Sequence, residues 1–290
     1  PEDWLSQWAL NLKGRTVWQA SSEIWHPAGG LGHVMQYHGI AMNEILRREG
    51  ASLSQIEPSY HLRYDQQGNL VPIDLDYYAS LPAEIRDVQE LYRYPVKIGT
   101  IDTWAIASKG VNRYGIEIYM ISDTGKNGGQ FDDEPYYTRM LYNYQTRDNP
   151  VSWEEFTAFF SMAAVELVRR VEGERRESAP DTWKGPIVHT NDAQISLFEL
   201  YRGILSEAHP DDEVLRQMRV PFTTHTYPNR GAFGRAYGEE VLRRIGIPSE
   251  YWRYFYRDWG NTVDFTSSAI RLAHDRGNWT GGVSAKHVDD

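Results

Sequence analysis

The sequence predicts an α/β protein built on a doubly wound, mostly parallel sheet with helices on both faces. Three observations lead there. From residue 16 onward, strand-like and helix-like segments alternate, the pattern that produces parallel sheets. Each strong β run (the one beginning at Val17, then 116–122, 186–191 and 220–226) passes into polar residues or a turn. The first of them ends in Gly29-Gly30-Leu31-Gly32, directly before a helical pattern. Open α/β folds place backbone N–H groups at such a corner, and glycines let an anion come close. The spacing is not G-x-G-x-x-G, so the dinucleotide fingerprint is missing, and a simple tight βα turn explains the glycines equally well at this point.

The elements follow in order. Trp4, Leu5, Trp8, Leu10 and Leu12 predict a short leading helix within residues 1–15. After the first strand, Val34, Met35, His38, Ala41, Met42, Ile45 and Leu46 fall on one side of a helix. Residues 51–100 hold short apolar stretches broken by Pro58, Pro72, Pro82 and Pro95. Within them, 65–69 reads as a turn between short strands and 82–92 as a small helix. Residues 116–122 alternate and are β-rich, and 123–135 form a polar loop long enough to be functional.

Ser152 with Glu155 has the spacing of a capping box, opening a helix through Phe156, Phe160, Ala164 and Leu167 that ends near Val171. The charged run 172–177 reads as solvated, with Arg169, Arg170, Arg175 and Arg176 offset by Glu172, Glu174 and Glu177 on a wet surface. A strand at 186–191 leads into a helix from Asp192 to about Leu205. Residues 237–246 and 265–276 predict the last helices. No repeat or low-complexity linker interrupts the chain, so 1–290 reads as one domain with 1–15 as a leading segment.

Composition narrows the function. A formal charge of −10 argues against a nucleic-acid backbone or an anionic membrane as main partner. The chain has no cysteine, which excludes disulfides, thiol nucleophiles and cysteine metal sites and suits a reducing, cytoplasmic setting. No signal peptide or membrane-length apolar run is visible. Ten Trp and nineteen Tyr suit stacking on sugar rings, although core filling explains any one of them as well. There is no paired-histidine metal motif, nucleophile elbow or P-loop, so no metal site is expected. The acidic clusters 132–134 and 211–213 read as loop charges.

In a doubly wound sheet the ligand sits outside the carboxyl ends of the strands. Three segments occupy such ends here: 23–32, 189–194 and 223–230. Their convergence predicts one cleft. His189 and His225 each close an apolar strand, and each reads equally well as a hydrogen-bonded structural histidine.

At these ends the chain resembles the N-terminal half of two-Rossmann-domain (GT-B) α-glucan glycosyltransferases. Ser21-Ser22-Glu23 followed by Pro27-Ala28-Gly29-Gly30-Leu31-Gly32 is similar to the "SSE" and K-x-G-G-L-G of glycogen and starch synthases. Pro27 stands for the family lysine and His33 for the acidic residue after the last glycine. His189-Thr190-Asn191-Asp192-Ala193-Gln194 resembles the synthases' H-x-H-D-W-H and the phosphorylases' N-D-T-H, with Gln194 in place of the shared histidine. Phe222-Thr223-Thr224-His225-Thr226 is close to the phosphorylases' F-T-T-H-T and similar to the synthases' F-T-I-H-N. Gly282-Val283-Ser284 resembles the phosphorylases' N-G-V-S-x-L-H, and Phe159-Phe160-Ser161 the synthases' aromatic helix.

The resemblance implies a Rossmann-like domain of a retaining hexosyltransferase, closest to glycogen synthase. It would move glucose from ADP-glucose or UDP-glucose to an α-glucan and hold no covalently bound cofactor. The implied roles are donor phosphate binding by Gly29, Gly30, Leu31 and Gly32, catalysis at the donor sugar by His225, and sugar contacts from Glu23, His189, Asn191, Asp192, Thr226 and Tyr227. The chain stops where the family's second GT-B domain begins, which makes that domain an implied partner, in the same or another chain, and leaves homo-oligomers open. Two alternatives stand beside this reading. One is a phosphorylase-like enzyme using pyridoxal phosphate; the other is a non-catalytic glucan-binding or regulatory domain.

Overall fold

A computed structural model describes residues 12–25, 30–65, 67–73, 77, 84–125, 135–140, 144–225 and 231–282. In chain order the elements are β1 (Thr16–Ala20), α1 (Gly30–Arg48), β2 (Ser52–Pro58), β3 (Leu62–Tyr64), β4 (Leu70–Pro72), β5 (Arg86–Ile98), β6 (Ile101–Val111), β7 (Glu117–Asp123) and α2 (Trp153–Ser178). They continue with β8 (Ile187–Asn191), α3 (Phe198–Ala208), α4 (Glu213–Gln217), β9 (Phe222–Thr224), β10 (Ala232–Gly234), α5 (Arg235–Arg244), β11 (Tyr256–Arg257), β12 (Thr262–Asp264), α6 (Phe265–Asp275) and β13 (Thr280–Gly282).

Eight strands form the main sheet in the order β13-β9-β8-β1-β2-β7-β6-β5. From β13 to β7 every neighbouring pair is parallel. The chain leaves β1 through α1 to β2 and β7, then crosses back through α2 to β8 on the other side of β1. The winding direction therefore reverses between β1 and β8, which makes their carboxyl ends the switch point where such sheets bind ligands. The sheet is α/β and mostly parallel, as the alternation implied.

All five side chains of β1 are buried, as expected where helices cover both faces. Val17 packs on the α1 side with Trp25, Met35, Leu46, Leu53 and Ile118. Trp18 packs on the α2 side with Ile56, Phe156, Phe160, Val188 and Phe198. The capping box of α2 is formed: the Glu155 N–H donates to Ser152 Oγ and the Ser152 N–H to Glu155 Oε2, each at 3.2 Å.

Several expectations are corrected. Residues 86–92 are strand, because β5 is the edge of the sheet. An edge strand tolerates Pro95, and two register irregularities break its alternation into a helix-like spacing. Its partner β6 gave no signal in the sequence reading. Helix α2 runs to Ser178, past Val171. Within its charged run Glu172 is fully buried and accepts from the indoles of Trp18 (2.9 Å) and Trp183 (3.0 Å). Half-buried Arg175 ties Glu172 to Glu117, so this end is a packed polar network instead of a wet surface. Asp212 caps α4 and pairs with Arg169 at 2.6 Å.

The predicted stripe of α1 is also rotated. Val34 and Ile45 are each 48% exposed, while Gly32, Met35, Gln36, Gly39, Asn43 and Leu46 are buried. The turn 65–69 is as expected: Asp65 Oδ1 accepts from the N–H groups of Gln67 and Asn69, joining β3 to β4. Residues 1–11, 126–134 and 283–290, which carried the leading helix, most of the polar loop and the C-terminal motif, lie outside the described residues.

Candidate functional site

Because β1, β8 and β9 are parallel neighbours in the order β9-β8-β1, the three predicted strand ends emerge on one edge of one sheet. The segment after β1 is tightly held. Oε2 of Glu57, at the end of β2, accepts from the N–H groups of Ile24 (3.2 Å) and Trp25 (2.9 Å). Gln36 of α1 donates to the Ile24 carbonyl at 2.7 Å, and the Tyr60 hydroxyl donates to the Ser22 carbonyl at 3.0 Å. Glu23 lies within this strapped segment and is 0% exposed. Gly30, Leu31 and Gly32 open α1, so their N–H groups have no intrahelical partners.

At the next end, Asn191 closes β8. Its Nδ2 donates to the His189 carbonyl at 3.0 Å, and its Oδ1 lies 3.1 Å from Nε2 of His225. Two of the three predicted segments are thus in direct contact. Asp192 follows with φ 70° and ψ 174°, a region that L residues rarely enter and that costs on the order of 1–3 kcal/mol. Its N–H donates to the Thr223 carbonyl at 2.9 Å, which pins the strained corner to β9. A 3-10 turn, Ala193–Ile195, follows, and α3 starts only at Phe198; the continuous helix expected from Asp192 is broken by this corner.

Gln194 is fully buried, and neither end of its amide has a hydrogen-bond partner among the described residues; the same holds for Ser22 Oγ. Such groups cost about 1–3 kcal/mol each unless a ligand or water meets them.

His189 belongs to the other side of β8. Its Nε2 lies 2.8 Å from Thr223 Oγ1, and its ring meets His38 and Trp279 edge-on at 6.0 Å. Burial, then the neighbouring His38 and His225, pushes its pKa down to about 3. It is a neutral strand histidine lining an apolar groove of about 480 Å³ with Val17, Met42, Ile45 and Pro221. That groove is also where the apolar stripe read from α1 points. Among the predicted residues Gly29, Thr226 and Tyr227 lie outside the described residues.

The sequence reading missed the residues that hold the corner: Glu57, Tyr60 and Gln36. The available signal was polar Gln36 and Asn43 interrupting the buried side of α1. It also missed Gln19 and Gln55, which bond each other at 2.6 Å beneath Trp25, whose indole donates to Gln55 at 2.9 Å. Among the described residues no cluster able to hold a metal ion occurs and no helix is long and apolar enough to cross a membrane.

A doubly wound sheet whose switch point carries a helix N-terminus, a strained acidic corner and buried unmet amide groups defines an α/β ligand-binding domain of the Rossmann-like class. The family model for the starch synthase catalytic domain matches residues 16–276, and the chain belongs to that family. A solved structure described as the catalytic domain of Starch Synthase IV from Arabidopsis thaliana, bound to ADP and acarbose, shares the fold. Its TM-score is 0.60 at 18% identity, covering 90% of this chain and 43% of that one. The chain thus spans less than half the length of this structural relative. No curated protein matches the sequence.

Proposed function

We propose that this chain is the N-terminal domain of a retaining α-glucan glucosyltransferase, working with a second α/β domain across the switch-point crevice. The observation that carries the proposal is the meeting of three strand ends at one edge, with Asn191 touching His225, in a member of the starch synthase catalytic family. The donor is a nucleotide sugar, ADP-glucose or UDP-glucose. Its C1–O bond to the diphosphate breaks, C1 joins the 4-hydroxyl oxygen of a glucan end, and that hydroxyl's proton leaves with the nucleoside diphosphate.

The demand on the protein is to hold negative charge on the leaving phosphate and to fix both sugars. N–H groups at residues 30–32 supply fixed positive ends where that charge grows, an arrangement that needs no reorganisation during reaction. His225, oriented by Asn191, contacts the transferred sugar. Asn191, Asp192 and Gln194 meet hydroxyls of the sugars, and Glu23 borders the acceptor path. His189 acts through the strand it stiffens.

The test is turnover of a full-length protein carrying this domain, with a glycogen primer and each of ADP-glucose, UDP-glucose and glucose 1-phosphate. Transfer from a nucleotide sugar is expected. Elongation from glucose 1-phosphate alone would make it phosphorylase-like. Glucan binding without any transfer would make it a binding domain.

A further inference from the structure

A line of four hydrogen-bonded side chains runs through the α1 face of the sheet, beneath the segment that leaves β1. Gln19 of β1 and Gln55 of β2 are cross-strand partners, and both are 0% exposed. The indole N–H of Trp25 donates to Gln55 Oε1 at 2.9 Å, and Gln55 Nε2 donates to Gln19 Oε1 at 2.6 Å. Gln19 Nε2 in turn lies 3.0 Å from Nδ1 of His38 and 3.7 Å from Met35 Sδ. Two residues further along β2, Glu57 accepts from the Trp25 N–H, so one strand grips Trp25 by ring and by backbone. Gly39 lets α1 close over the amide pair, since a Cβ there would overlap Gln55 Nε2.

The line has one possible direction. An indole nitrogen only donates, so Gln55 turns its oxygen toward Trp25 and its nitrogen toward Gln19. Gln19 must then turn its nitrogen toward His38, whose Nδ1 has to accept. His38 is therefore neutral, with its proton on Nε2. A proton added at Nδ1 makes both ends of the line donors, and two carboxamides cannot join two donors. A cationic ring donates the stronger, charge-assisted bond. Both amides then turn over, and the donor left unmet is the buried indole of Trp25. His38 reaches solvent at the rim of the apolar groove, while the amides behind it do not. Among the described residues lining that groove, the one other titratable side chain is His189 of β8. Its ring centre is 6.0 Å away, and it stays neutral down to about pH 3. One turn away on α1, Val34, Met35, Ala41 and Met42 carry no charge. Burial against the groove holds the His38 pKa below its ordinary 6.5.

We propose that His38 is a positioning residue whose neutral Nδ1 sets the direction of this relay, so that its protonation releases the indole of Trp25 and loosens the segment between β1 and α1. The proton enters at the groove, and its effect emerges at the carboxyl ends of β1 and β2. That the loosened segment weakens donor binding rests on the function proposed above; the relay itself does not.

Nuclear magnetic resonance of the whole protein, labelled with nitrogen-15 at His and Trp, tests this between pH 7.5 and pH 5. The Trp25 indole signal is assigned by its loss in Trp25→Phe. At pH 7.5 the His38 ring is expected with its proton on Nε2. On acidification the Trp25 indole signal should move with the midpoint of His38, below pH 6.5, and its protection against exchange should fall at least tenfold. His38→Asn offers an amide oxygen near the place of Nδ1 and should hold Trp25 at every pH. A proton on Nδ1 at pH 7.5, a Trp25 signal that stays still while His38 titrates, or a Trp25 titration that survives His38→Asn would each overturn the relay. ADP affinity, measured in parallel by calorimetry, should weaken at the His38 midpoint, and less so in His38→Asn. The same pH dependence in both proteins would overturn the link to donor binding. A protein that binds no ADP at any pH would overturn the donor reading, and the spectra would still decide the relay.

Discussion

Asn191 joins two strands through one carboxamide: its nitrogen donates to the His189 carbonyl at 3.0 Å and its oxygen lies 3.1 Å from Nε2 of His225. Because the donation fixes which way the amide points, the oxygen must accept, and the proton of His225 sits on Nε2. If His225 contacts the donor sugar, Asn191 orients it. In an active full-length protein, His225→Ala should lower turnover at least tenfold, about 1.4 kcal/mol of barrier. Asn191→Ala should lower it by a similar factor, and the double variant should lose little more than the worse single one. Losses that multiply would show that the two side chains act separately.

The backbone of Asp192 gives a second test. At φ 70° glycine is at ease and alanine is not. Asp192→Gly and Asp192→Ala both remove the carboxylate, so their difference isolates the strain. The glycine variant should be the more stable by about 1 kcal/mol or more in denaturant unfolding. Equal stabilities would mean that the corner relaxes without its side chain.

His189 makes folding sensitive to acid. Its pKa in the folded chain is depressed to about 3 from an ordinary 6.5, so the proton binds only after unfolding. Stability is therefore full above about pH 6.5 and falls as the pH drops toward 3. Replacing it with Gln should shrink the stability difference between pH 7 and pH 5 by up to about 2 kcal/mol. An unchanged difference would show that the ring gains its proton while the chain stays folded.

At Gly39 space decides. A Cβ there would overlap Nε2 of Gln55 and lie 2.9 Å from Oε1 of Gln19, the pair that supports Trp25. Gly39→Ala would normally favour a helix, yet here it should destabilise by about 1–3 kcal/mol through overpacking. A gain in melting temperature would contradict the close approach of α1 to the sheet.

The strands that reach the crevice were legible because each is short, apolar and bounded by polar residues or glycine, as at Phe222–Thr224 and His225. Their shared edge followed from alternation alone. The edge hairpin was not legible: Arg86–Ile98 is covered on one face only, is bent by bulges and contains Pro95, so neither period dominates. The stripe of α1 misled because its apolar side chains Met42 and Ile45 line a groove, while Gln36 and Asn43 face inward with bonds to the Ile24 and Tyr114 carbonyls. Charge misled at Glu172, since the two indoles and Arg175 that bury it come from distant parts of the chain or the next helical turn. The strain at Asp192 has no sequence signal beyond the Asn-Asp pair itself.

Hydrogen exchange of a full-length protein with and without ADP addresses the shared crevice most directly. The account predicts slowed exchange in residues 22–25, 30–36, 191–194 and 224–225 together. Protection of only one of the three strand ends, or of none of them, would contradict it.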